Sequence, residues 1–266
     1  MLSRSFYIEY GIVQMIQILP TITLILCLGV SSFAAFEENT VLLYLFDEEV
    51  ANEATDLSEF KNHGEATDTE WTKDGKRGGA LIFDGANSLI EVPHHDSLHA
   101  GSDEVTIEAW FKPTTFPAGH PPIARKGAVG DSGWGLDTPG GKVRGFIYNA
   151  PGNFAVADGA TQMQLDTWHH LAMVYDGKEV RVYLDGELDA KVARGGDLHQ
   201  NEASVWIGKK AIESIWLDGT LDELRILNIA VTQEQIRKDM EGIALTVEVT
   251  GKLTTTWGRI KSEVRR

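Results

Sequence analysis

Two runs of β-branched and aromatic residues, joined by a tight turn, are the sequence feature that most limits the folds this chain can adopt. The first run extends from Trp168 to Tyr175 and the second from Val180 to Leu184, with Asp176-Gly177-Lys178 between them. Such residues favour strands, and a glycine in a short connection supplies the positive φ that a hairpin needs. Alternate residues of the second run differ in polarity, which gives one face for a core and another for water or a ligand. The sequence therefore predicts a β-hairpin with one face available for function.

Similar patterns recur along the chain and predict an all-β protein. Glu104–Lys112 alternates strictly between apolar and polar residues, which is typical of a central strand. Ala80–Phe83 and Ser88–Val92 flank the turn sequence Asp84-Gly85-Ala86-Asn87, which predicts a second hairpin. Many short strands without βα alternation indicate a two-sheet antiparallel jelly-roll sandwich.

A single helix is predicted, close to the C-terminus. Thr232 and Gln235 form a capping box, and Ile236 and Met240 share one face of the helix predicted over Gln233–Glu241. The fold class is therefore all-β with one short C-terminal helix.

The two ends of the chain differ in composition from its middle. Residues 1–35 combine Arg4, an apolar run over 16–30 and the small residues of Ser32-Phe33-Ala34, which is the pattern of a cleaved export signal. An uncleaved membrane anchor is the alternative, although Pro20 interrupts the apolar run. Residues 36–242 form the predicted domain, and residues 243–266 are a basic C-terminal extension. We expect a secreted or cell-surface protein without stable membrane insertion after cleavage.

Charge and cysteine content limit the partners and the sources of stability. The chain carries a net charge of −15, and the domain is more acidic still because the C-terminal extension is basic. This charge argues against binding of nucleic acid or an anionic membrane and favours a bound cation. Cys27 is the only cysteine and lies inside the signal, so we expect no internal disulfide in the mature protein.

Nine short motifs, in chain order, resemble those of the laminin-G-like jelly-roll domains of the concanavalin A-like lectin/glucanase superfamily. The motifs are Tyr44-Leu-Phe-Asp47, Asp56-Leu-Ser58 with Asn62-His-Gly64, Ala80-Leu-Ile-Phe-Asp-Gly85, Val92-Pro93, Thr106-Ile-Glu-Ala-Trp-Phe111, Trp168-His-His170 with Tyr175-Asp-Gly177, Tyr183-Leu-Asp-Gly186, Ile207-Gly208 and Gly219-Thr-Leu-Asp-Glu-Leu-Arg-Ile226. The resemblance covers about residues 38–241 and implies the sandwich fold. It leaves the function open among lectins, glycan-binding modules, adhesion domains and some hydrolases.

The resemblance also allows the enzyme hypothesis to be tested on residues. Glucanases of this fold carry catalytic carboxylates on one strand as Glu-x-Asp-x-Glu or Glu-x-Asp-x-x-Glu. The nearest match is Glu187-Leu-Asp189, which lacks the second glutamate. Glu108 with Trp110 could act in another arrangement, but we expect a protein that is not an enzyme.

Similar jelly rolls often hold a structural Ca²⁺ near the junction of the first and last strands. Ca²⁺ prefers carboxylate, carbonyl and amide oxygens, which Asp47, Gly85, Asn87 and Asp222 could supply if their strands converge. The alternative is that these residues stabilise turns by accepting hydrogen bonds from backbone amides. The predicted cofactor is therefore one structural calcium ion with these four ligands.

A ligand is expected on the polar face of a sheet, where aromatic rings lie beside charged groups. Alternation predicts that seven residues share this face: Glu108, Trp110, Arg144, Phe146, Tyr148, Arg181 and Tyr183. The alternative is that the aromatic residues pack under loops and that Glu108 pairs with Arg181 or Arg144. Trp206 is predicted in the core and Trp216 as loop cover, and His169 with His170 as hydrogen-bonded structure.

Together these patterns predict an exported, non-catalytic recognition module that binds glycan or another extracellular ligand. A structural or protein-adhesion domain without glycan binding is the first alternative, and a glycoside hydrolase is the second. The expected partner is a glycan or an extracellular protein, and not nucleic acid.

Overall fold

The computed structural model describes residues 38–99, 103–128 and 130–243, and within them it has sixteen strands and one α-helix. The predicted signal peptide, residues 1–35, lies outside the described residues, as does the predicted C-terminal extension except for Ile243. The strands belong to the compact unit that begins at Thr40.

The strands form two antiparallel sheets, numbered here in chain order. Sheet A contains, from edge to edge, β14 (Glu187–Ala193), β13 (Glu179–Leu184), β12 (His169–Asp176), β7 (Glu104–Pro113), β16 (Asp218–Leu227), β5 (Ala80–Asp84) and β4 (Glu70–Thr72), with β1 (Thr40–Tyr44) also paired to β16. Sheet B contains β11 (Asn153–Asp158), β10 (Arg144–Ala150), β9 (Asp131–Asp137), β8 (Pro122–Ala128), β15 (Val205–Ile207), β6 (Leu89–Val92), β3 (Gly64–Thr67) and β2 (Glu53–Ala54). The helix α1 is Gln233–Asp239, and 3₁₀ turns occupy Asp96–His99 and Pro139–Gly141.

One hydrophobic core lies between the two sheets. On β7, Ile107 and Phe111 point inward, and they join Trp134 and Ile147 from sheet B in the same buried cluster. The alternation of β7 places every second residue in this core, as its sequence predicts. The all-β sandwich with one short C-terminal helix is therefore confirmed.

The structure contains the hairpin that the sequence predicts between Trp168 and Leu184. β12 and β13 are antiparallel neighbours with Tyr175 opposite Val180, and Gly177 takes φ of 77° in the turn between them. β7 lies between β12 and β16, so its prediction as a central strand is also confirmed.

The second predicted hairpin is wrong. β5 pairs with β16 and β4 in sheet A, whereas β6 pairs with β15 and β3 in sheet B, so the turn between β5 and β6 carries the chain from one sheet to the other. Asp84 Oδ1 accepts hydrogen bonds from the backbone N–H groups of Ala86, Asn87 and Ser88, at 2.9, 2.8 and 3.0 Å. An aspartate that turns the chain in this way serves a crossover as well as a hairpin, and alternation does not specify the partner strand.

The helix begins where the sequence predicts and packs on the outer face of sheet A. The backbone N–H of Gln235 donates to Thr232 Oγ1 at 3.2 Å, which caps the helix. Arg77 donates to the carbonyl of Met240 and pairs with Glu223 Oε2 at 2.7 Å, which ties the helix end to β16. Within the described residues, no helix is long and apolar enough to cross a membrane.

Candidate ligand-binding face

The seven predicted ligand residues do not share one face. Glu108 and Trp110 lie on β7 and Arg181 and Tyr183 on β13, all in sheet A, whereas Arg144, Phe146 and Tyr148 lie on β10 in sheet B. The prediction of a single face is wrong because alternation tells inward from outward residues but does not tell which sheet a strand joins.

The outer face of sheet A, called here the covered face, is closed by other parts of the chain. Trp110 is only 5% exposed. Lys76 Nζ lies 3.8 Å from the centre of the Trp110 ring, and the His170 ring contacts it edge-on at 5.2 Å. Burial lowers the pKa of His170 to about 3, so its imidazole is neutral. A ligand cannot stack on Trp110 in this arrangement.

Glu108 lies beneath the helix in a buried ionic cluster. Arg225 Nη1 lies 3.9 Å from Glu108 Oε1 and 3.9 Å from Asp239 Oδ2, so the cluster joins β7, β16 and α1. Burial and the nearby Asp239 carboxyl raise the pKa of Glu108 well above its usual value, although Arg225 opposes this. Glu108 therefore pairs with Arg225 and not with Arg181 or Arg144.

The two predicted residues of β13 are also occupied by the chain itself. Arg181 pairs with Asp176 and, through Nε at 2.6 Å, with Glu179 Oε1. Tyr183 is 4% exposed. All four sheet A residues are thus part of the protein's own packing. This agrees with the alternative for the two aromatic residues, whereas the partner of Glu108 is Arg225.

The outer face of sheet B is called here the exposed face because Trp206 and Phe154 reach solvent on it, whereas Arg125, Gly135 and Phe146 at its centre are buried. One row of directly paired residues crosses the whole sheet, and paired residues point to the same side. In order the row is Glu53, Glu65, Glu91, Trp206, Arg125, Gly135, Phe146 and Val156. It runs from an acidic edge through a tryptophan and an arginine to an apolar edge.

Glycine at position 135 shapes the centre of the exposed face. A Cβ at this position would lie 2.4 Å from Phe146 Cζ and 2.9 Å from Arg125 Cβ, so only glycine lets the Phe146 ring lie across β9. The Arg125 guanidinium stacks on that ring at 5.0 Å, and its Nη2 donates to Ser132 Oγ at 2.8 Å. Arg125 and Phe146 are thereby held rigidly.

Aromatic rings continue from this centre towards the β11 edge. The rings of Phe146 and Tyr148 are 6.0 Å apart, and those of Tyr148 and Phe154 are 5.1 Å apart. Phe154 is 50% exposed, whereas Phe146 and Tyr148 are nearly buried. The row forms an apolar surface whose outer end reaches solvent.

Trp206 and Arg125 belong to this face, and sequence reasoning missed both. Val205 and Ile207 are in the core, so Trp206 between them points outward and is partly exposed, which corrects its prediction as a core residue. Lys209 Nζ lies 5.5 Å from the Trp206 ring and 5.0 Å from the Trp216 ring. The apolar neighbours on both sides of Trp206 were the signal that could have found it.

Polar atoms without a hydrogen bond lie beside the aromatic row. Asp137 Oδ1 and Arg125 Nε are buried and make no hydrogen bond within the part of the chain that is described. Burial raises the pKa of Asp137 to about 6, although the charges of Arg125, Arg144 and Lys210 lower it. Both atoms are shielded from solvent, as are the unbonded Glu108 and Trp110 atoms of the covered face, so they do not by themselves mark this face as the ligand site.

The predicted calcium ligands are not brought together as a set. Asp222 is fully buried, and its two carboxylate oxygens accept hydrogen bonds from the backbone N–H groups of Arg77 at 2.9 Å and Glu223 at 2.8 Å. Burial, with the charges of Glu223 and Asp47, raises the pKa of Asp222 to about 8. Asp47 is therefore near Asp222, but both carboxylate oxygens of Asp222 already accept hydrogen bonds from backbone N–H groups.

Gly85 and Asn87 lie further along the strand pair. Asp84 is opposite Asp218, whereas Leu81 is opposite Leu221, so the turn that holds Gly85 and Asn87 is at the Asp218 end of β16, away from Asp222. The described residues contain no group of three or more His, Cys, Asp or Glu that could hold a metal. These four residues do not fit one calcium site, and calcium binding elsewhere stays a prediction.

The remaining candidates make structural contacts. Gln164 N–H donates to His169 Nε2 at 3.0 Å, so His169 Nδ1 carries the proton that it shares with Asp185 Oδ2 at 2.8 Å. Glu187 pairs with Arg237 at 2.7 Å, and Asp189 accepts from Thr161 Oγ1 at 2.7 Å.

Solved structures share this fold at low sequence identity. Domain 4 of AbnA, a GH43 extracellular arabinanase from Geobacillus stearothermophilus solved with arabinotriose, matches with a TM-score of 0.61 and 21% identity, covering 75% of this chain and 97% of that one. The binding domain of Paraclostridial Mosquitocidal Protein 1 matches with a TM-score of 0.63 and 14% identity, covering 80% of this chain and 57% of that one. The receptor binding domain of the botulinum neurotoxin C/D mosaic serotype matches with a TM-score of 0.59 and 14% identity, covering 77% and 52%. The chain thus spans little more than half of each of these toxin domains.

A family model gives the relationship directly. None of the curated proteins matches the sequence. The laminin G model of the concanavalin A-like lectin/glucanases superfamily matches residues 84–237, which is more than half of the chain and includes β7 to β16. The chain therefore belongs to the concanavalin A-like lectin/glucanases superfamily as a laminin-G-type domain.

Proposed function

We propose that this protein is an exported, non-catalytic recognition module that binds carbohydrate on the exposed face of sheet B. The observation that carries the proposal is the aromatic row of this face, on which Trp206 is partly exposed and Phe154 is 50% exposed, with Arg125 and Phe146 packed between them across Gly135. Sugars are bound by aromatic surfaces that stack on their apolar faces and by charged groups that pair with their hydroxyls.

Structures with the same fold support a glycan as the ligand. The AbnA domain was solved with arabinotriose, and cell entry of botulinum neurotoxin type C is dependent upon interaction with two ganglioside molecules. Both proteins share the sandwich at 21% identity or less, so they support the class of ligand and not its identity.

The burial of the carboxylates on the covered face supports a role without catalysis. Glu108 is 1% exposed beneath α1, and Asp222 is fully buried with both oxygens bonded to backbone N–H groups. A general acid or nucleophile must reach its substrate. Export is proposed from the sequence of residues 1–35 alone, which lie outside the described residues.

The test compares two tryptophans that have similar surroundings. Trp206 is partly exposed with Lys209 Nζ 5.5 Å from its ring, and Trp168, immediately before β12 of sheet A, is partly exposed with Lys112 Nζ 5.2 Å from its ring. A glycan array that includes arabinotriose identifies the ligand, and calorimetry measures its affinity. We expect Trp206→Ala to lower the affinity at least about tenfold, equal to ~1.4 kcal/mol, and Trp168→Ala to leave it unchanged.

Two outcomes would contradict the proposal. Equal losses in Trp206→Ala and Trp168→Ala would place the ligand elsewhere. Silence across the array would favour the first alternative, a structural or protein-adhesion domain.

A further inference from the structure

A groove of about 430 Å³ lies at the end of β1, and one of its lining residues, Glu53, is also the acidic end of the row on the exposed face. Its apolar lining includes Leu45, Phe46, Val50, Leu57 and Ile243. Leu57 is 43% exposed, whereas Leu45 and Ile243 are nearly buried and pack together with Leu43. The groove therefore has an apolar floor that is accessible from one side.

The rim of the groove is acidic. Asp47, Glu48, Glu49 and Glu53 line it and are all exposed. The single lysine or arginine in the described lining is Arg77, whose guanidinium is already paired with Glu223 and the Met240 carbonyl. A ligand for this groove must combine apolar groups with positive charge.

The C-terminal extension has this chemistry and begins at the groove. Residues 244–266 lie outside the described residues, and they follow directly after Ile243, which forms part of the groove wall. Their sequence holds five Lys and Arg against two Glu, interleaved with apolar residues such as Val247, Val249 and Trp257. An extended chain advances ~3.3 Å per residue, so the stretch from Ile243 to Lys252 can span up to about 30 Å.

We propose that the groove binds the chain's own basic C-terminal extension, residues 244–266, through apolar contacts on its floor and ion pairs with its rim. Attachment at Ile243 makes the association intramolecular, so the effective concentration of the extension at the groove is high without a strong intrinsic affinity. The ion pairs are exposed and therefore weaken in salt, since the Debye length falls from ~8 Å at physiological ionic strength to ~3 Å at 1 M. This site does not depend on glycan binding.

Zero-length carbodiimide crosslinking of the full chain tests the contact. The reagent joins a lysine Nζ to a carboxyl group with loss of water, and mass spectrometry locates the bond. We expect crosslinks from Lys252 and Lys261 to Glu48, Glu49 or Glu53, which disappear in 1 M salt. Asp158 is the control carboxylate, because it is exposed on β11 at the opposite edge of sheet B from Glu53.

The crosslink pattern has three contradicting outcomes. Equal yields at Asp158 and at the rim would show that the extension has no preferred site. An absence of crosslinks to the rim would remove the contact. Rim crosslinks only between differently labelled chains in a mixed sample would replace the intramolecular contact with a second copy of the protein.

Hydrogen exchange with charge reversal gives an independent test. In the variant Arg259→Glu/Lys261→Glu we expect backbone exchange over residues 45–57 to rise about fivefold, the factor that corresponds to ~1 kcal/mol of lost ion-pair energy. Adding Glu48→Lys/Glu49→Lys should restore protection, because the charges are complementary again. Exchange that does not change in the first variant, or does not recover in the second, would overturn the proposal.

Discussion

The two outer faces of the sandwich are built from the same kinds of residue but are used differently. On the covered face, Trp110 lies under Lys76 and against His170, and Glu108 pairs with Arg225 beneath α1. On the exposed face, Trp206 is partly exposed and Phe154 is half exposed. The helix and the segment around Arg77 pack on sheet A, which accounts for the difference.

This comparison shows that outward direction on a sheet is not the same as access to solvent. The alternation of a strand predicts which side chains point away from the core. The exposure of those side chains to solvent depends on what else packs on the sheet. Residues of one chemical type therefore have opposite roles in our account: they stabilise the covered face and recognise a ligand on the exposed face.

The largest expected effect comes from removing one tryptophan from each face. Trp110→Ala should lower the free energy of unfolding by ~3–5 kcal/mol, because its ring is buried, and Trp206→Ala by less than ~1 kcal/mol, because its ring is partly exposed. Denaturant unfolding followed by circular dichroism measures both values. Equal losses in the two variants would show that the faces do not differ in packing.

Substitution of the central glycine should damage the exposed face selectively. Gly135→Ala places a methyl group where Phe146 and Arg125 now lie, so we expect a loss of ~1–3 kcal/mol in stability together with weaker glycan binding. Gly152→Ala is the matched control, because no atom lies within 4 Å of its added Cβ, although its φ of 72° disfavours alanine. A glycan affinity that Gly135→Ala leaves intact would separate the Phe146 position from the ligand.

The pH dependence of stability should separate the faces next. Asp222, on the covered face, has its pKa raised to about 8 by burial, so its contribution to stability is present below the unfolded pKa of about 4 and is lost as pH rises through 8. Asp137 on the exposed face also contributes stability that is lost as pH rises. Because its pKa is about 6, this loss is complete at a lower pH than the loss from Asp222. His170 has the opposite sign, since its pKa is lowered to about 3 and stability is lost as pH falls below its unfolded value.

Between pH 6.5 and 8 these contributions can be distinguished by substitution. Over this range the Asp222 carboxyl should lower the free energy of unfolding by ~1 kcal/mol or more, so the free energy of Asp222→Asn should decline less with pH than that of the wild type, whereas that of Asp137→Asn should follow the wild type closely. Chemical unfolding at each pH measures the slope. A slope that Asp222→Asn leaves unchanged would show that this carboxyl is not the group that titrates.

Calcium should give the smallest effect. Because Asp222 is bonded to backbone N–H groups and the turn of Gly85 and Asn87 lies at the Asp218 end of β16, we expect Asp47→Asn and Asp222→Asn to leave the response of the melting temperature to calcium, added after chelation, unchanged. Calorimetry provides the measurement. A rise that Asp47→Asn abolishes would instead place a calcium site at the end of β1.

The sequence predicts the fold because its patterns act over short distances. The β12–β13 hairpin and the cap of α1 follow from adjacent residues, and both are present. The pairing of β5 with β16, and of β6 with β15, joins residues far apart in the chain, and no local pattern contains it. The predicted hairpin between β5 and β6 was wrong for this reason.

The candidate site was predicted only in part, for the same physical reason. Phe146 and Tyr148 point outward as alternation predicts, but their neighbours Arg125 and Trp206 reach them through pairing of β8, β9, β10 and β15. Trp110 fits the same local pattern, and its burial depends on Lys76 and on the cover over sheet A. Local sequence therefore identifies the residues that point away from the core. Which of them share a surface depends on the tertiary structure.

Hydrogen exchange with and without a bound glycan tests the central claim most directly, because it reports on both faces in one experiment. With the sugar that the array identifies, we predict protection over residues 143–158 and 204–216, which include β10, β11 and β15, and no change over residues 104–113 and 179–184, which are β7 and β13. Protection confined to β7 and β13 would contradict the account, because it would place the ligand on the face that the helix covers.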